Sequence, residues 1–186
     1  VAQLMETPRE DVLAAVTFVG LTYEVGLHLK GSANGSFQKL DGKPSFKLDF
    51  HEFNDEQRLF GVKRVTLNSM IQDPTMAAEH AAYRLYEAMG VPAPRHGYAQ
   101  VWINDELYGL YGIVETKDEA LLDRLFHDDG DGTLYEGGYG ADLYVGQLEH
   151  FEVKESTTPD QDVPRLEELT AALDAATKSN ILPTLD

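Results

Sequence analysis

Apolar residues that alternate along the chain, rather than recurring every three or four positions, most limit what the first seventy residues can become. In Ser45-Phe46-Lys47-Leu48-Asp49-Phe50 the residues Phe46, Leu48 and Phe50 fall on one side, and Ser45, Lys47 and Asp49 on the other. A period of two is the mark of a strand with one face in a core. Residues 16–29 carry the same pattern through Phe18, Leu21, Tyr23, Val25, Leu27 and Leu29, with Gly20 and Gly26 as turn or bulge points. A third short strand is predicted over 62–67.

Helical spacing appears later. Asp73 is placed to cap, Pro74 suits a first helical position, and strong helix formers run from residue 75 to 89 before Gly90 and Pro92 stop them. Ala78, Ala82, Leu85 and Met89 make the apolar stripe expected to pack. Two strands, 98–103 and 107–115, flank Asn104-Asp105-Glu106, a compact hairpin signal. A helix over 117–126, an acidic loop at 128–132, short strands at 133–135 and 148–154 and a closing helix over 163–178 complete the reading. Strands and helices do not alternate strictly. That order predicts an α+β fold, with an antiparallel sheet and helices packed on one side of it. Residues 1–154 form the main body in this reading, and 155–186 a linker and helix.

Composition narrows the function classes. The 186 residues include no cysteine, which excludes disulfides, thiolate metal sites and cysteine nucleophiles. Net charge is −17, which disfavours nucleic acid and anionic membrane as partners. The charge is uneven. Residues 1–70 hold 8 basic and 9 acidic side chains, and residues 117–186 hold 5 and 17. Lys30, Lys39, Lys43 and Lys47 form a basic island within the near-neutral front part.

Three features could carry chemistry. A Gly/Ser/Asn-rich loop, Gly31 to Gly35, lies between strands and is followed by Lys47 on a strand. That arrangement suits loop amides covering phosphates while a strand lysine pairs with them, and equally suits an ordinary hairpin loop beside a solvated lysine. Glu79 sits one position off the helix stripe, where it could orient such a lysine or simply favour the helix dipole. Glu115 ends an apolar strand, where it could meet a ligand or serve as a strand-end cap. No histidine pair has helical metal-ligand spacing, and residues 127–138 do not fit a calcium loop.

Taken in order, these segments resemble the CotH family, the spore-coat protein H kinases. The matching stretches are Val25-Gly26-Leu27-His28-Leu29-Lys30-Gly31-Ser32, Lys43-Pro44-Ser45-Phe46-Lys47-Leu48-Asp49-Phe50, Phe60-Gly61-Val62-Lys63, Leu67-Asn68 and Asp73-Pro74-Thr75. They continue through Glu79 to Pro94, then Val101-Trp102-Ile103-Asn104-Asp105-Glu106-Leu107-Tyr108-Gly109-Leu110-Tyr111, Val114-Glu115 and Leu134-Tyr135-Glu136-Gly137. The resemblance implies the N-terminal lobe of an atypical kinase-like fold that binds ATP with Mg²⁺. It implies phosphorylation of serine or threonine on coat or surface proteins, and a setting at the spore coat or cell surface. It makes Lys47 the phosphate-binding lysine and Glu79 its helix partner. Lys30, Gly31 and Ser32 would lie in the loop over the phosphates, where the family usually carries Arg-Gly-Asn. Glu115 would lie near the hinge that supports the base. A basic or serine-rich protein is the implied partner.

The alternative is a non-catalytic structural or adhesive surface module on the same fold. In the family the catalytic aspartate and the metal-binding asparagine and aspartate follow the matched region, and the only tryptophan here is Trp102. Catalytic and metal residues are therefore expected outside these 186 residues. The chain alone should show no phosphotransfer, and clear autophosphorylation with radiolabelled ATP would contradict this.

Overall fold

The computed structural model describes residues 2–31, 37–126, 132–144, 146–156 and 159–176, the side chains of residues 2 and 161 excepted. The chain divides into two compact units, residues 1–121 and 122–186. Together they make an α+β protein.

The first unit opens with a short helix, α1 (Ala2–Glu6), where the sequence suggested only a lead-in. Six antiparallel strands follow: β1 (Val12–Phe18), β2 (Leu21–Lys30), β3 (Ser45–Asp49), β4 (Arg64–Asn68), β5 (His96–Ile103) and β6 (Glu106–Glu115). Their order across the sheet is β1-β2-β3-β4-β6-β5. The predicted strand over 16–29 is two strands, because Val19 and Gly20 both adopt left-handed φ (49° and 79°) and turn the chain back. Asn104 and Asp105 do the same between β5 and β6 (φ 50° and 67°). Two consecutive left-handed residues form the tight turn whose twist matches that of paired strands.

Register decides which residues share a face. Leu27 pairs with Leu48, and Leu48 with Val65; Leu29 pairs with Phe46, and Phe46 with Leu67. These residues, with Val25, Phe50 and Tyr111, form the core. Phe46 and Tyr111 pack at 6.0 Å between ring centroids. The Tyr111 hydroxyl donates to the Pro44 carbonyl at 2.9 Å, so its one polar atom is satisfied inside the core. Lys43 sits above that ring (4.8 Å) and donates to the carbonyls of Ser69 and Leu110 at 2.9 and 2.7 Å. One member of the predicted basic island is thus built into the fold.

Helices lie on both faces of the sheet rather than one. Leu4 of α1 is buried with the core. Helix α2 (Ala78–Ala88) has no buried residue and meets the opposite face through His80 and Tyr83, which stack near His96. Its predicted apolar stripe therefore points away from the sheet, with Leu85 57% and Met89 70% exposed. Asp73 still caps: its carboxylate accepts from the amides of Thr75 and Ala78 at 3.0 and 2.7 Å, one turn ahead of the helix. A further helix, α3 (Glu119–Leu125), follows β6.

The second unit contains β7 (Leu134–Gly137) paired antiparallel with β8 (Phe151–Glu155), and the helix α4 (Pro159–Asp174). Asp162 organises it: the Thr133 and Ser156 hydroxyls each donate to its carboxylate at 2.7 Å. The acidic loop at 128–131 lies outside the described residues. Among the described residues, no helix is long and apolar enough to cross a membrane.

Phe50 is fully buried, so Phe50→Ala should cost about 3–5 kcal/mol of stability. Urea unfolding with an unchanged slope and a lowered midpoint checks this.

Candidate functional site

The face of the sheet opposite the core carries two parallel rows of side chains. His28, Lys47, Thr66, Val114 and His96 follow one another across β2, β3, β4, β6 and β5. In the adjacent row Lys30 pairs with Ser45, and farther across the sheet Asn68, Gly112 and Tyr98 follow in register. Alternation on β3 places Lys47 here, since Phe46 and Leu48 are buried on the other side. Lys30 is its diagonal neighbour, roughly 7–8 Å away by antiparallel geometry.

Lys47 is half-buried and has no hydrogen-bond or ion-pair partner among the described residues. Lys30 instead donates to Asn68 Oδ1 at 3.2 Å. Asn68 Nδ2 donates to both carboxylate oxygens of Glu79, at 2.8 and 3.0 Å. A chain of contacts therefore runs from β2 across β4 to the first turn of α2. The helix glutamate lies over the polar face, and its partner here is Asn68 and not Lys47. Asn68 was within the motif quoted from the sequence, yet nothing in its spacing distinguished it from a strand-end residue.

Beyond Glu79 lies a histidine pair the sequence did not reveal. His96 Nδ1 and His80 Nδ1 are 3.0 Å apart, so one ring donates and the other accepts. His96 Nε2 is buried without a hydrogen-bond partner and stands 3.7 Å from Glu79 Oε2. Burial pushes the His96 imidazole below its ordinary range; Glu79 pulls it up and His80 pushes it down. Gly112 makes this convergence possible. A Cβ there would come within 3.2 Å of His96 Nε2 and 3.3 Å of Glu79 Oε2.

The remaining candidates go elsewhere. Glu115 pairs with Val65 and so turns toward the core side. Its carboxylate accepts from the Arg95 guanidinium and amide, both at 3.0 Å, which ties the start of β5 to the end of β6. Gly31 accepts from Arg9 through its carbonyl at 2.6 Å. Ser32 lies outside the described residues. Among the described residues no cluster of three histidine, aspartate or glutamate side chains could hold a metal ion. On β2 and β3 the polar face offers Lys30 and Lys47, bordered by three carboxylates that each have a partner of their own, Asp11 with His28, Asp49 with Arg64 and Glu79 with Asn68; an anion would meet the two ammonium groups between them.

Comparison with known proteins gives the family. The family described as CotH kinase protein matches residues 27–180, well over half of the chain. The chain belongs to that family. An inner spore coat protein H-like protein of Bacillus subtilis (strain 168) is 29% identical over 99 residues, covering 46% of this chain and 32% of the relative. The aligned region thus spans about a third of that relative's length. Both the polar face and the β5–β6 hairpin fall inside the CotH match.

Because folded His96 binds its proton more weakly than an unfolded histidine (about 6.5), the unfolded state holds more protons just below that value. Stability should therefore fall as pH drops through this window. Thermal unfolding at pH 7.5 and 5.5 should show a smaller loss for His96→Gln than for the unaltered chain; an equal loss would remove His96 as the source.

Proposed function

We propose that this chain forms the nucleotide-binding part of a CotH-type kinase, resembling the N-terminal lobe of a protein kinase. It binds the phosphates of Mg-ATP on the polar face of β2 and β3 for transfer to serine or threonine of a coat or surface protein. The observation that supports this reading is Lys47: a half-buried ammonium without a partner among the described residues, on a central strand, with Lys30 diagonal to it. A buried-side cation without a carboxylate partner favours an anionic ligand. In kinase-type transfer the protein contributes mainly positioning and charge, and these lysines supply the positive side of that arrangement.

Mg²⁺, when bound with the nucleotide, offsets phosphate charge. The described residues contain no three-ligand cluster for it, so no step through the metal is assigned to this chain. Glu115, occupied by Arg95, would support the hinge by fixing the ends of β5 and β6. The family membership and the coat-protein relative favour a spore-coat or surface setting. The acidic stretch 117–186 suits a basic partner by electrostatic complementarity.

Titrating Mg-ATP into the chain and into Lys47→Ala tests the reading. Loss of one charge-assisted contact should weaken binding about tenfold or more. Equal affinity would remove Lys47 from the site. A folded chain that binds no nucleotide would instead fit a structural coat module.

A further inference from the structure

We infer that the outer edge of β1 is an interface between two copies of this chain, paired antiparallel about a two-fold axis at Ala15. The inference is independent of the nucleotide reading.

β1 ends the sheet, and among the described residues β2 is its one strand partner. Phe18 and Leu21 flank the two-residue turn at Val19 and Gly20, so they form a hydrogen-bonded pair. Alternation then makes Val16, Ala14 and Val12 the other residues bonded to β2. The N–H and C=O groups of Leu13, Ala15 and Thr17 therefore point outward along the open edge. Sheet edges are ordinarily guarded by charge, proline, a bulge or short length. β1 has none of these. It is seven residues long, its pairing with β2 runs without a register shift, and no charged residue or proline occurs from Val12 to Tyr23. The opposite edge strand, β5, differs, because a bulge interrupts its ladder between Val101 and Trp102.

An open edge can take any extended strand; charge and register favour a second copy. A net charge of −17 opposes contact between like copies over most of their surface. Residues 1–70, with 8 basic and 9 acidic side chains, are the near-neutral exception, and β1 carries no charge at all. Pairing about Ala15 sets it against the partner's Ala15, and Leu13 against the partner's Thr17, twice by symmetry. A small side chain then sits on the axis, and Leu13, 62% exposed in one copy, gains a neighbour. Glu24 pairs with Ala15 on β2, so Glu24 and the partner's Glu24 would stand three strand spacings apart. That is about 14 Å, beyond the screening length of about 8 Å at physiological salt. Asp11, just before the strand, is already bonded to His28 at 2.8 Å. The contact uses the same edge of both copies, so it closes as a dimer instead of growing. A single strand pair is small for an interface, which makes the dimer weak and concentration-dependent.

Sedimentation equilibrium of the full chain, from roughly 10 μM to roughly 1 mM, should show the mass rising from one chain toward two. Ala15→Lys and Ala15→Glu each set like charges opposite one another on the axis and should weaken association about tenfold or more. Mixing the two variants should restore it, because only a pairing that brings position 15 against itself turns both repulsions into one attraction. The chain has no cysteine, so single cysteines give a second reading of register. Ala15→Cys should cross-link to itself under mild oxidation, since opposed Cα atoms about 5.5 Å apart lie within disulfide reach. Leu13→Cys should cross-link to Thr17→Cys and not to itself. A chain monomeric throughout would leave the edge to a strand of another protein, and association unaltered by Ala15→Lys would place the contact between copies elsewhere. Either result overturns the inference, as does a mixture of the charged variants that fails to recover.

Discussion

Burial of alternate side chains on β3 is the constraint from which the rest follows. Phe46, Leu48 and Phe50 are each 4% exposed or less, and removing them from water contributes roughly 1.5–3 kcal/mol apiece. That burial leaves Ser45, Lys47 and Asp49 no choice of face. Because register passes the alternation from β2 through β3 and β4 to β6, one strand's pattern sets the polar face of the sheet. Asp49 meets Arg64 at 2.5 Å, Ser45 bonds to the amide and hydroxyl of Ser69, and Lys47 meets no partner among the described residues. The core and the candidate site are two sides of one periodicity.

This explains what could be read in advance. The α+β class, the alternation on β3, the β5–β6 hairpin and the face occupied by Lys47 all depend on local pattern, and local pattern is written in sequence. Asp73, Gly90 and Pro92 likewise mark the ends of the α2 region, though Asp73 caps a turn ahead of the helix itself. Gly20 was legible as a turn or bulge point, but a tight β1–β2 hairpin was not, because Val19, a β-branched residue, takes a left-handed conformation that sequence statistics assign to glycine or asparagine.

The site was harder to read because its partners are distant in sequence. Glu79 was visible as a helix residue near its stripe, but its bond to Asn68 depends on where α2 lands over β4 and β6. The stripe itself misled. Ala78, Ala82, Leu85 and Met89 have core spacing, yet α2 docks through Glu79 and His80, which bond to Asn68 and His96, and through the Tyr83 ring, which packs near His96. Glu115 was readable as a ligand contact or a strand-end cap, and Arg95, brought beside it by the β5–β6 pairing, bonds to it at the strand end.

The strand order carries a kinetic consequence. β1–β2 and β5–β6 are each closed by two-residue turns, so they can form with almost no loop to close. The β4–β6 pairing joins Val65 to Glu115 and must bridge α2 and all of β5 before it gains a single contact. Loop entropy is lost first and contacts return later. Folding should therefore assemble the two edge hairpins early and stitch the sheet together at β4–β6 last. The polar face, with Lys47 on one side of that seam and Glu79 on the other, would then be among the last parts of the molecule to exist.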